Sequence, residues 1–175
     1  MAEENEPIML DGKTAYKKET FYLKMEYKLI KLRKLMDIYL SHAPNHEKYG
    51  LSLTIRNQID LIYRLLIVAQ KKFWNKTTIF NMNVEHEVLR GYVRLFYEMG
   101  YFNYRKGRLV TPEDDPKNLS EALRRFRNAN VEIDILGKMI GGLDRAAKTS
   151  KEAVIEYVNS DNESSENKNE EAPWL

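Results

Sequence analysis

The chain has 175 residues, with 28 Lys and Arg, 26 Asp and Glu, a net charge of +2 and no Cys. That length suits one ordinary domain with tails, and the absence of Cys excludes a disulfide framework and a thiolate metal site. The N-terminus, Met1-Ala2-Glu3-Glu4-Asn5-Glu6, is acidic where a secretory leader is basic and then apolar, and no apolar run approaches the ~20 residues of a membrane span, so a cytoplasmic protein is expected, neither exported nor embedded.

Residues 1–19 read as an extension, acidic up to Asp11 and basic after it. Apolar residues then recur in alternating steps of three and four, the repeat that lines one side of a helix. The first such segment runs from Thr20, an N-cap residue type, to Ser41, with Tyr22, Met25, Leu29, Leu32, Met36 and Tyr39 on its inner stripe. Ala43-Pro44-Asn45 ends it. The second, Ser52 to Trp74, places Ile55, Ile59, Ile62, Leu66, Ala69 and Phe73 in the same rhythm.

The third segment, Asn83 to Tyr104, has Val88, Tyr92, Leu95, Met99 and Phe102, and Lys106-Gly107 with Pro112 and Pro116 stops it. The connection from Arg105 to Lys117 is charged and Pro-containing, hence an exposed loop. The fourth helix starts at Asn118 or Ser120 and carries Ala122, Phe126, Ala129, Ile133, Leu136, Ile140 and Leu143 as far as Lys148. Residues 151–175 are rich in Ser, Asn and Glu and read as a disordered acidic tail. Four long helices on short connections predict an all-α, antiparallel up-and-down four-helix bundle over residues 20–150.

The charge is segregated along this plan. Glu3, Glu4, Glu6 and Asp11 make the first twelve residues −4, and seven acids against Lys168 make residues 152–175 −6. Between residues 13 and 151 stand 27 Lys and Arg against 15 Asp and Glu, a balance of +12. Positions two after each core residue lie about 200° round the helix and face outward. They include Lys24, Tyr27, Lys31 and Lys34 on the first helix, Arg90, Arg94, Tyr97 and Tyr101 on the third with Arg105 past its end, and Arg124, Lys138 and Arg145 on the fourth. Basic side chains interleaved with Tyr are what a surface needs to neutralise phosphates and stack bases. Taken one stripe at a time, such residues more often only solvate a helix; the summed segregation of charge is what favours nucleic acid.

Leu61, Leu65 and Val68 on the second helix, and Val131 and Ile135 on the fourth, lie off the core stripes. With the paired Gly141-Gly142, which permits close approach of another helix, they point to a homo-oligomer interface. Catalysis finds no support in the residue inventory. His42, His46 and His86 lack a companion nucleophile and acid, Pro44 breaks the His42/His46 interval, and Glu85-His86-Glu87 reads as an acidic first turn. No cofactor or metal is expected.

Two sets of motifs carry a family resemblance. His46-Glu47-Lys48-Tyr49-Gly50-Leu51-Ser52-Leu53-Thr54-Ile55-Arg56 resembles a helix opening of the four-helix bundle proteins encoded by ribosomal RNA intervening sequences. Arg90-Gly91-Tyr92-Val93-Arg94-Leu95 and Ile135-Leu136-Gly137-Lys138-Met139-Ile140-Gly141-Gly142 resemble the related accessory variability determinant (Avd) proteins of diversity-generating retroelements. The likeness covers Phe21 to Lys148. It implies a basic homopentamer of bundles that binds the element's reverse transcriptase and nucleic acid, supporting error-prone copying of a template RNA into cDNA. Arg90, Arg94 and Lys138 match basic positions of the family motifs; Leu143 stands where Avd proteins often carry Trp, and both acidic ends are additions. The other reading is a structural bundle whose basic face meets an acidic protein partner.

Overall fold

The computed structural model describes the backbone of residues 12–71, 76–111 and 113–166, and within those ranges the side chains from 21 to 148. Four helices pack as an antiparallel bundle: α1 (Gly12–Leu40), α2 (Leu51–Lys71), α3 (Lys76–Glu98) and α4 (Asn118–Glu166). Each packs on the next, and α4 returns to α1 to close the ring. The inner stripes of α1, α2 and α4 are those their periodicity dictates. Met25, Leu29, Leu32 and Met36 face Ile55, Ile59, Ile62 and Leu66, with Ala129, Ile133, Leu136 and Ile140 completing the core, all nearly inaccessible to water. Tyr39 and Phe126 are half-buried against it.

The register of α3 differs from the sequence expectation. Its buried stripe is Ile79, Met82, His86, Leu89, Val93 and Phe96, whereas Val88, Leu95 and Met99 are exposed. The helix also begins seven residues before Asn83, at Lys76, so Ile79 and Met82 join the stripe. Both sets recur at helical spacing, and His86 decides between them. Its imidazole is buried because Nε2–H donates to the Ile133 carbonyl at 2.8 Å, which satisfies the buried donor. His86 is therefore a core residue in mid-helix and not part of an acidic first turn. Phe73 and Trp74 lie outside the described residues.

Helix ends move as well. The backbone of α1 starts at Gly12, so Thr20 is inside the helix and not its cap. At the other end α4 continues to Glu166, so the first sixteen positions of the segment read as a disordered tail are helical; extending a formed helix costs far less than nucleating one. Residues 167–175 lie outside the described set.

Between α3 and α4 the chain is ordered by specific contacts. Gly100, at φ +72°, ends α3 in the left-handed conformation glycine tolerates. A short 3-10 turn (Tyr101–Asn103) then leads into a two-stranded hairpin, β1 (Tyr104–Arg105) and β2 (Arg108–Leu109). Lys106 and Gly107, both at positive φ, form its two-residue turn. Phe102 drops into the core, with ring centroids 5.0 Å from Phe96 and 5.9 Å from Tyr39. Tyr101 and Phe102 thus close the end of the bundle, while the described residues of the Arg105 to Lys117 connection are exposed or partly so, as expected, with the hairpin as their ordered part. Asn118 Nδ2 ties it to α4 by donating to the carbonyls of Val110 at 2.7 Å and Asn103 at 3.2 Å.

Candidate nucleic-acid interface

The positions of α4 that face away from the core follow from its own repeat. Arg124, Arg127, Val131, Asp134, Lys138, Gly141 and Arg145 succeed one another in steps of three and four, so they form one outward row. All but the half-buried Gly141 are exposed. Its only carboxylate, Asp134, is engaged from α3 by Arg90 Nη2 at 2.9 Å, which leaves the row positive and joins it to α3. Arg94 lies one turn beyond Arg90, exposed and with no carboxylate partner among the described residues.

The α1 side of α4 is basic as well. Lys24, Lys28 and Lys31 share the flank of α1 that meets α4, and Lys31 Nζ reaches Glu132 Oε1 at 2.5 Å. That hydrogen bond, more than the charge attraction, raises the Lys31 pKa and keeps the ammonium protonated. Lys34 is exposed beside them. The outer crest of α1 is mixed, since Leu23, Ile30 and Ile38 are 55%, 40% and 59% exposed around Tyr27.

The expected site residues therefore separate. Lys24, Lys31, Lys34, Arg90, Arg94, Arg124, Lys138 and Arg145 lie on one continuous wall formed by α1, α4 and the adjoining edge of α3. Three do not take the expected role. Tyr97 stacks on Phe126, 4.3 Å between centroids and 16° from parallel, so its face is occupied inside the protein. Tyr101 is buried, its hydroxyl donating to Glu47 Oε1 at 2.9 Å. Both displacements follow from the rotated register of α3 and its end at Glu98.

Arg105 is partly exposed but engaged by carboxylates. It forms ion pairs with Glu121 and, at 3.2 Å, with Asp115, locking the hairpin onto the first turn of α4. Glu121 also receives Arg124 at 3.2 Å and Arg125 at 3.4 Å. The hydrogen bond from Arg105 is the largest influence holding its carboxyl below the usual range. Nearby, Glu47 accepts the Leu51 N–H at 2.9 Å and so caps α2. That backbone bond and the Tyr101 hydroxyl lower its pKa.

The expected oligomer residues separate in the same manner. Val131 is 55% exposed, and Ile135, Gly141 and Gly142 are partly so. Leu61, Leu65 and Val68 are half-buried on the α3 side of α2, Leu65 against the core. An exposed apolar row instead runs along α3: Val84, Val88, Leu95 and Met99, interrupted by Gly91, whose Cα faces open space. Arg127 and this α3 row are the features that sequence reasoning missed. Arg127 was legible in the steps leading from Arg124 to Lys138.

Compared with known proteins, the chain matches no family model, and no curated protein or solved structure is significantly similar to it. The geometry defines a class: an all-α four-helix bundle with one electropositive wall and, on another helix face, an uncovered apolar row. Among the described residues no helix is long and apolar enough to cross a membrane.

Proposed function

We propose that the protein is a non-catalytic accessory subunit that binds nucleic acid through the α1/α4/α3 wall, as part of a diversity-generating retroelement's reverse transcription complex. The observation that carries the nucleic-acid part is the α4 row, where Arg124, Arg127, Lys138 and Arg145 flank a single carboxylate already engaged by Arg90. Such a row presents cations at a helical spacing to a phosphate backbone, and contacts of this kind supply most sequence-independent affinity. The retroelement part rests on the motif resemblance around Arg90 to Leu95 and Ile135 to Gly142. The partners in this reading are the element's reverse transcriptase and its template RNA or cDNA, in the cytoplasm.

The same reading includes a homo-oligomer, a pentamer by the resemblance. A closed ring with an odd number of subunits needs two different patches on each copy. The α3 row of Val84, Val88, Leu95 and Met99 supplies one, and the α1 crest of Leu23, Ile30 and Ile38 supplies another. Neither includes a residue of the α4 row, so assembly leaves that row open, while Lys34, between Ile30 and Ile38 on the α1 crest, falls within a subunit contact. The test is co-purification of the full chain with a cognate reverse transcriptase and template RNA. A ternary complex is the expected result; capture of an acidic protein with no RNA would favour the structural-bundle reading instead.

A further inference from the structure

The basic wall ends, toward the start of α3, in a groove of about 410 Å³ lined by Lys76, Thr77, Phe80, Asn83, Asp144 and Lys148. Its volume falls within the range of small-molecule sites, roughly 300 to 1,000 Å³. Lys76, Phe80 and Asn83 sit at i, i+4 and i+7 on α3 and so line one face; Asp144 and Lys148 sit at i and i+4 on α4 opposite them. Phe80 is 61% exposed, although a large aromatic ring gains most from burial. Two lysines, Lys76 and Lys148, line the same groove. Lys148 Nζ is held at 2.7 Å by Asp144, which fixes its position while leaving further N–H donors free. Lys76 has no carboxylate partner among the described residues. Thr77 and Asn83 add a hydroxyl and an amide, both exposed.

An uncovered aromatic face in a groove that also holds two ammonium groups and neutral hydrogen-bonding groups suits a flat ring carrying a phosphate. We propose that this groove is a subsite for one unpaired nucleotide of a single strand, its base on Phe80 and its phosphate between Lys76 and Lys148. The proposal rests on the nucleic-acid reading above and deepens it. The α4 row tracks the backbone without regard to bases, whereas this groove requires a base that is free of a duplex, which makes the chain selective for single-stranded or strand-end segments.

The test compares two strands on the full-length protein: a short single-stranded RNA, and the same strand made abasic throughout. Phe80→Ala is expected to weaken binding of the intact strand roughly tenfold, the loss typical of one base–aromatic stack, and to leave the abasic strand unchanged. Phe80→Tyr restores the intact strand, which separates stacking from any effect on folding. The double variant Lys76→Gln/Lys148→Gln weakens both strands. If wild-type protein binds RNA but Phe80→Ala affects both strands equally or neither, the subsite is refuted while the basic wall stands. If the wild type binds neither strand, the nucleic-acid reading falls and the subsite with it.

Discussion

A Cβ placed on Gly137 would lie 2.7 Å from Cε1 of His86 and 3.2 Å from its Nε2. The imidazole of α3 thus occupies the space a side chain on α4 would need, and donates to the carbonyl of Ile133 one turn earlier. This is the closest approach made through any glycine of the Gly137 to Gly142 motif; Gly141 has nothing within 4 Å of its added Cβ. Gly137→Ala should therefore destabilise by about 1 to 3 kcal/mol, the scale of overpacking a core. Gly141→Ala should stabilise by up to ~1 kcal/mol, since helical alanine is preferred where space is open. Urea unfolding midpoints of the two variants check the contrast.

The register of α3 is open to a similar test. Leu89 is fully buried and Val88 is 37% exposed. Leu89→Ala is expected to cost about 2 to 5 kcal/mol, and Val88→Ala under about 1 kcal/mol. Equal losses, or a larger loss at Val88, measured by chemical denaturation in dilute solution, would restore the stripe that the apolar pattern alone suggests.

The reason the pattern misleads at α3 is physical. On α1, α2 and α4 one stripe is plainly more apolar than its neighbours, so the core side was legible residue by residue, from Tyr22 to Leu143. Two stripes compete on α3. One contains His86, which a hydropathy rule counts as polar until the Ile133 carbonyl that accepts from it is known. The other contains Val88, Leu95 and Met99, apolar yet facing outward. Much of the basic wall was legible because Lys and Arg on α1 and α4 face outward by periodicity. Tyr97, Tyr101 and Arg105 were not: Tyr97 turns onto Phe126 with the rotated register of α3, and past Gly100 the chain folds back so that Tyr101 meets Glu47 and Arg105 meets Glu121.

Acid should weaken the hairpin end of the bundle first through His42. Burial, followed by the charges of Arg125, Arg105 and Lys106, with Glu121 opposing, holds its pKa below the ordinary 6.5. The unfolded chain then binds a proton at a higher pH than the folded one, so stability is full above 6.5 and declines as pH falls below it. The depressed carboxyls of Glu47 and Glu121 act later, losing their contribution as pH falls below 4.5. Stability of His42→Gln should be flatter than wild type just below pH 6.5 and should still fall below 4.5. A thermal-melt series across that range gives the comparison.

Assembly should respond to charge on the α3 row. Leu95→Glu and Met99→Glu place carboxylates on exposed apolar positions, where burial of an unpaired charge opposes association. Light scattering after size exclusion is expected to show a smaller species for the pair with helical content retained. An unchanged mass would remove the α3 row from any subunit interface.

If the α4 row and its α3 edge neutralise phosphates, RNA affinity falls with salt, and more steeply for wild type than for the triple variant Arg94→Gln/Arg127→Gln/Lys138→Gln. Each lost phosphate contact on a single strand lowers the slope of log K against log salt by about 0.7, so the triple variant should bind more weakly and lose about 2 from the wild-type slope. Identical slopes for the two proteins, or a wild-type affinity that does not change with salt, would contradict the account.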